Sequence, residues 1–552
     1  MNVQTSAAME IVRNRLMVAV FLFLGIFVLL SARMVALGIS GGERVEDGLG
    51  AIPFYEAARA DILDVNGTVL ATNLEIYSLY ADPTRVLNAL EAISKLSLVF
   101  PDLNEPQLLA RLTSGKRFVW IKRKLTPNQK WQVNALGIPG FFFQTEEERV
   151  YPQGSLFSHV IGFVDVDGKG LGGVERYFNS TLTDEVGRDE GLRLTLDTRI
   201  QHALRDEMAK AVEKFQAKGS AGVIMDIKTG AVLAMVSLPD FDPNHPGDAL
   251  PDQKFNRASQ GVYELGSIFK ILTVATALET GAVTLKDGYD ATYPLRIASF
   301  TIRDDHPQKR YLTVPEIFIF SSNIGAAQMA LDIGKENQQD FFRKLGLLQR
   351  PYFELSEVGQ PLYPTYWREI NTMTAAYGHG IAISPLQMAS AIAATVNGGH
   401  LIPATLSADN PVFYDAGEQV FSAEVSEKMR ALMRLTVTEG TGKQANVPGY
   451  LVGGKTGTAE KAGVGAYQEH ALMSSFVGVF PMDAPKYLVL IVVDEPIGTK
   501  DTYNFAGGGW VAAPSVGRVI ARIAPLLGVK PISQEVNGYQ DVAFLIDKEA
   551  AR

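Results

Sequence analysis

Three short motifs lie in one order along the chain: Ser267-Ile268-Phe269-Lys270, then Ser321-Ser322-Asn323, then Lys455-Thr456-Gly457-Thr458. Together they hold the groups that an active-site serine needs. A hydroxyl is a weak nucleophile until a neighbouring base takes its proton, and a lysine amine can be that base only if its own pKa is lowered. Burial and a second cation both lower it. Ser267 and Lys270 are one helical turn apart and so share a face, and Lys455 is the natural second cation. Ser321 follows Ser267 by 54 residues (321 − 267), and Lys455 follows Ser321 by 134 (455 − 321). Those spacings fit a helical subdomain inserted between two parts of an α/β domain.

The elements that must position these groups are legible around them. Ser267 opens the apolar run Ile271 to Leu278, which ends at Gly281; this predicts a buried helix with a glycine stop. A second K-T-G, Lys228-Thr229-Gly230, lies between the apolar runs Gly222–Met225 and Val232–Val236, so it is read as a hairpin turn. Thr198 to Gln201 has a capping-box pattern, and Ile200, Leu204, Met208, Val212 and Phe215 follow at helical spacing as a core stripe. Residues 221–237 supply two strands; Phe476–Phe480 and Tyr487–Val493 supply two more.

Composition sets outer limits. A chain of 552 residues exceeds one core, so at least two domains are expected. The net charge of −9 with no basic tract argues against a nucleic-acid partner, and the absence of cysteine excludes disulfides and thiolate metal sites. The seven histidines have no H-E-x-x-H or comparable spacing; no metal or cofactor is expected, and His379 in Tyr377-Gly378-His379-Gly380 reads as a loop or packing residue. Two further matches are rejected. Gly168 to Gly173 fits G-x-G-x-x-G without a βαβ frame, and Gly38 to Gly42 fits G-x-S-x-G away from a strand-to-helix elbow; both read as flexible glycine stretches.

From Leu16 to Ala32 there are 17 residues without a charge, and apolar character resumes after Arg33 through Leu37. A spanning helix needs about 20 apolar residues. Arg13 and Arg15 precede the run and Glu43, Glu46 and Asp47 follow it, so the N-terminus is expected inside. The alternative, a cleaved signal peptide, lacks a clear A-x-A site. Everything from about Gly38 onward is expected outside the cytoplasmic membrane. Beyond the span, Arg59 to Ala71 reads as a strand, an Asn66-Gly67 turn and a second strand.

The order S-x-x-K, S-x-N, K-T-G resembles that of the penicillin-recognising serine enzymes, the penicillin-binding proteins and serine β-lactamases. The segments Arg149–Pro152, His159–Phe163 and Gly170–Glu175 resemble the pedestal of class B penicillin-binding proteins, with Arg59, Arg149 and Glu175 as structural ion-pair residues. No glycosyltransferase signature occurs. Tyr377 to Gln387 and Ala506 to Pro514 are similar to the FtsI-type, division-specific transpeptidases, while Leu265 departs from the proline that many relatives carry before Gly-Ser.

That resemblance implies a fold and an organisation: an α/β (α+β) transpeptidase fold, with a five-stranded antiparallel sheet flanked by helices and a helical subdomain from about Gly281 to Thr438. A cytoplasmic tail (1–15), a transmembrane helix (16–37), a pedestal domain (38–190), the transpeptidase domain (191–532) and a C-terminal tail (533–552) are expected. It also implies roles. Ser267 would attack the carbonyl between two terminal D-alanines of a peptidoglycan stem peptide, with Lys270 as base. Ser321 would relay a proton to the leaving amine, Asn323 would position the donor peptide and Lys270, and Lys455, Thr456, Gly457 and Thr458 would hold the substrate, the Lys455 strand offering its edge. The N–H groups of Ser267 and Thr458 would form the oxyanion hole. No E-x-x-L-N occurs between Asn323 and Lys455, which favours transfer over hydrolysis. Partners implied are stem peptides, β-lactams, an FtsW-type glycan polymerase and other division proteins, with the catalytic domain periplasmic on a single span of the inner membrane. An elongation-type class B transpeptidase and a β-lactam-sensing receptor are the alternatives, and the three intact motifs disfavour a scaffold with a vestigial site.

Overall fold

The computed structural model describes residues 17, 21–31, 33, 59–184, 190–297, 300–409, 417–462 and 467–532. Residues 1–57 form one unit and Ala58–Arg552 another. In the first, residues 21–31 are helical, with Phe21, Phe23, Phe27 and Leu29 all exposed. Among the described residues, no helix is long and apolar enough to cross a membrane. Both ends of the expected span, both expected tails and the Gly38–Gly42 stretch lie outside the described residues.

In the second unit, β1 (Ile62–Leu63) and β2 (Val69–Ala81) are antiparallel across the expected turn. Asp64 Oδ1 holds that turn by accepting from the N–H groups of Asn66 and Thr68, each at 2.8 Å. β3 (Val119–Leu125) and β4 (Phe141–Val150) both pair with β2, and β5 (Leu192–Arg193) runs parallel to β1. Helices Ala89–Val99, Glu105–Leu112 and Pro127–Ala135 cover the far end of this sheet through Ile93, Leu96, Leu108 and Val133.

The buried charges meet as expected. Glu175, with no exposed surface, accepts from Arg59 Nε at 2.5 Å and Arg149 Nε at 2.7 Å. Such a carboxylate is tolerable only because paired donors replace its water. The glycine stretch beside it is not loose, which corrects that expectation. A Cβ on Gly162 would lie 1.9 Å from the carbonyl oxygen of Gly172, and the short helix Gly173–Tyr177 follows directly. Glycine is required there because backbone packs on backbone.

α1 (Thr198–Lys214) carries the predicted stripe, but its cap differs. Asp197 is the N-cap, accepting from Arg199 N–H at 2.9 Å. The Thr198 hydroxyl instead donates to Asp64 Oδ2 at 2.7 Å, and the Gln201 amide donates to Leu156 and Met235 carbonyls; tertiary partners took both ends of the expected box.

β6 (Gly219–Asp226) and β7 (Val232–Leu238) are joined through Lys228-Thr229-Gly230, the predicted hairpin. Then come α2 (Phe269–Glu279), the hairpin of β8 (Leu295–Ile297) and β9 (Phe300–Ile302), α3 (Val314–Ile319), α4 (Asn323–Ile333), α5 (Glu369–Ala375), α6 (Pro385–Val396) and α7 (Ala423–Thr438). β10 (Gly453–Ala462), β11 (Tyr467–Phe480) and β12 (Tyr487–Asp494) return to the sheet, and α8 (Ala512–Leu526) closes the domain. The sheet runs β10-β11-β12-β6-β7, antiparallel throughout, with β10 at one edge.

Both faces are covered, so β12 reads as an unbroken apolar run. Leu488, Leu490 and Val492 pack with α2 and α6, whereas Val489, Ile491 and Val493 pack with α1 and α8.

Candidate active site

The serine motif begins on a 3-10 turn, Gly266–Ile268, that runs straight into α2. α2 is buried from Phe269 to Leu278 because it is apolar all round, so Lys270 is carried into the protein with no exposed surface while Ser267 stays half-buried. Gly266 has φ +58°, and a Cβ there would lie 2.5 Å from the carbonyl oxygen of Thr458. On the other side, a Cβ on Gly457 would lie 2.5 Å from the carbonyl oxygen of Leu265. The serine turn and the edge strand therefore touch through bare backbone, which puts Ser267 beside the Lys455 motif. Leu265 itself is buried, and its departure from proline leaves the turn formed.

Ser321 precedes α4 and holds φ +62°, a left-handed conformation unusual for a residue with a Cβ. Ser322 is the helix N-cap, accepting from Gly325 N–H at 3.0 Å. Lys270 Nζ lies at the centre of the first two motifs. It donates to Ser267 Oγ at 2.9 Å, Asn323 Oδ1 at 2.6 Å, Ser321 Oγ at 3.1 Å and the Ser321 carbonyl at 2.5 Å. Lys455 Nζ, on β10, donates to the same Ser321 Oγ at 2.9 Å.

Thr456 is anchored by Thr441, which sequence reasoning did not single out, and Thr458 by Gly508. The hydroxyl of Thr456 hydrogen-bonds that of Thr441 at 2.7 Å, and Thr458 Oγ1 accepts from the N–H of Gly508 at 3.0 Å. The Ala506–Pro514 segment thus lies against β10. Asp304 was also missed. It sits just after β9, and its Oδ1 accepts from Asn323 N–H at 2.6 Å and Ile324 N–H at 2.9 Å, while Oδ2 accepts from Ser322 Oγ at 2.8 Å. The one sequence signal was an Asp-Asp pair upstream of the motif.

Burial is the main force on both lysines, because a charged amine without water is costly. At Lys270 the carboxylates of Asp304 and Asp305 oppose it, leaving the amine at about 7. Lys455 has no such counterweight: burial, then repulsion from Lys270, hold it well below its ordinary value.

His379 is in the turn after α5, its N–H on the Thr374 carbonyl at 3.0 Å and its ring 5.1 Å from that of Tyr377. Burial, then the nearby Lys270, lower it to about 4. Among the described residues no group of His, Asp and Glu is arranged to hold a metal ion.

Comparison with known proteins agrees with this geometry. Residues 220–519 match the penicillin-binding protein transpeptidase domain, and residues 55–201 match the penicillin-binding protein dimerisation domain. The chain is 40% identical over 528 residues to a probable peptidoglycan D,D-transpeptidase FtsI of Caulobacter vibrioides, covering 93% of this chain and 89% of that relative. It is 35% identical over 509 residues to a probable peptidoglycan D,D-transpeptidase PenA of Neisseria gonorrhoeae, covering 86% and 85%. Among solved structures, penicillin-binding protein 3 of Mycobacterium tuberculosis in complex with aztreonam is similar with a TM-score of 0.67 at 25% identity, covering 86% of this chain and 97% of that one.

Proposed function

The chain belongs to the penicillin-binding protein transpeptidase family, and on that premise we propose that it is an FtsI-type D,D-transpeptidase that cross-links peptidoglycan stem peptides at the division septum through an acyl-enzyme on Ser267. The observation that carries the mechanism is the Lys270 amine, 2.9 Å from Ser267 Oγ and poised at about 7. A base near working pH takes the hydroxyl proton in a useful fraction of molecules.

The donor peptide adds along the edge of β10, its terminal carboxylate meeting Lys455, Thr456 and Thr458. That carboxylate supplies a counter-charge to the buried Lys455 amine and so favours its charged form. Ser267 Oγ attacks the carbonyl carbon of the penultimate D-alanine as Lys270 takes its proton. The oxyanion forms beside the N–H groups of Ser267 and Thr458, a contact worth about 3 kcal/mol per donor. Collapse breaks the C–N bond, and the proton passes from Lys270 through Ser321 Oγ to the departing D-alanine amine. The amine of a neighbouring stem peptide then attacks the ester, forms the cross-link and returns Ser267. Asn323 holds Lys270 in place throughout. The same carbonyl chemistry makes the enzyme a penicillin target.

Residues 16–37 serve as a single inner-membrane span that leaves the catalytic domain periplasmic. Support comes from the 17 uncharged residues and the exposed apolar helix over residues 21–31. This helix is the surface offered to an FtsW-type glycan polymerase. Replacing it with an unrelated spanning helix should preserve penicillin binding and impair septation; full rescue of division by that chimaera would reduce the helix to a tether.

The activity is tested by supplying the full-length chain with nascent peptidoglycan and analysing the digested products by mass. Cross-linked dimers that have lost one D-alanine are expected, and none with Ser267→Ala. Free D-alanine without dimers would mean hydrolysis instead.

A further inference from the structure

We propose that Asp304, on the loop that leaves β9, is a positioning residue for acylation: it fixes the turn that carries Ser321 and Asn323 against the amine of Lys270. The inference rests on the acyl-enzyme reading above and adds a residue outside its three motifs. The first N–H groups of a helix have no intrahelical acceptor. Here Asp304 Oδ1 takes two of them, Asn323 at 2.6 Å and Ile324 at 2.9 Å, and Oδ2 takes the hydroxyl of the N-cap Ser322 at 2.8 Å. The neighbouring Arg303 carbonyl accepts from Asn323 Nδ2 at 2.9 Å, which directs Asn323 Oδ1 at Lys270. Both the backbone and the amide of Asn323 are thus set by one loop. The same loop stabilises a turn whose Ser321 pays for a left-handed φ of +62°.

Asp304 also acts through charge. The charged or titratable groups that bear on Lys270 are Asp304, Asp305, Lys455 and His379; of these the two carboxylates hold its proton on against burial. Removing the Asp304 charge therefore lowers the Lys270 pKa, so the neutral amine appears at lower pH.

The test measures the rate of acylation by a fluorescent penicillin against pH for the full-length chain in detergent. Asp304→Asn should move the rising limb down by about one pH unit and lower the plateau about tenfold, because one acceptor must replace a charged pair. Asp304→Glu should keep the limb near its original pH while losing rate. A labelled chain whose limb stays put in Asp304→Asn would overturn the proposal and leave Asp304 a helix cap alone. If that variant does not fold, Asp304→Ser carries the same test, being a neutral cap; failure of both to fold would likewise assign a structural role. A wild-type chain unlabelled at Ser267 would fell the acylation reading itself.

Discussion

Lys270 and Lys455 address a single oxygen. Their amines lie 3.1 Å and 2.9 Å from Ser321 Oγ, and neither side chain has any exposed surface. Two buried amines share one hydroxyl, and the carboxylates of Asp304 and Asp305 act on the Lys270 side of it. The hydroxyl between them can accept from one and donate to the other, which is what a relay requires.

The pH dependence follows. Burial lowers Lys270 from the ordinary lysine range to about 7, and only the neutral amine accepts a proton, so acylation should rise with pH through about 7 and level off above it. Lys270→Arg should show no acylation at any accessible pH, because guanidinium keeps its proton. Lys455→Arg should retain measurable acylation, since its partner in the complex is an anion. Equal and complete loss in both variants would remove the division of roles.

Ser321 offers a test that separates backbone from side chain. Ser321→Ala keeps the left-handed φ and loses the hydroxyl, whereas Ser321→Gly loses the hydroxyl and relieves the conformation. Both should transfer poorly, yet the glycine variant should be more stable by about 1 kcal/mol. Thermal melts of equal midpoint would mean that the turn carries no strain.

Much of this was legible because it is local. Ser267 and Lys270 stand three residues apart and Ser321 and Asn323 two, the Lys228-Thr229-Gly230 turn is bounded by its own strands, and the burial of β12 on both faces shows as one apolar run. What escaped depends on distant chain. Asp304 reaches Asn323 across 19 residues and the whole of α3, and no local pattern marks an aspartate as a cap for a helix that begins so far along the chain. The capping box at Thr198 failed because Asp64 lies 134 residues away and captured the threonine. Nor does residue type reveal that Lys270 and Lys455 have no exposed surface.

The ion-pair cluster should matter for stability alone. Glu175→Gln leaves two buried guanidiniums facing a neutral amide and should cost about 3–5 kcal/mol, read as a lower denaturation midpoint. The folded fraction should still acylate at the original rate; a slowed rate in fully folded protein would mean that the cluster reaches the serine site.

After acylation the penicilloyl ester should persist. The chain lacks the E-x-x-L-N glutamate, and Asp304 spends both oxygens on three donors, so it does not activate water. Following the adduct mass after drug removal checks this. Return to free enzyme within seconds would demand an unrecognised base.

The central claim is that Ser267 is the acylated nucleophile. The most direct measurement treats wild-type and Ser267→Ala chains with a fluorescent penicillin, confirms folding by melting, and maps any adduct by peptide mass. One adduct per wild-type chain is expected, on the peptide carrying Ser267, and none on the folded variant. Stoichiometric labelling of Ser267→Ala would contradict it.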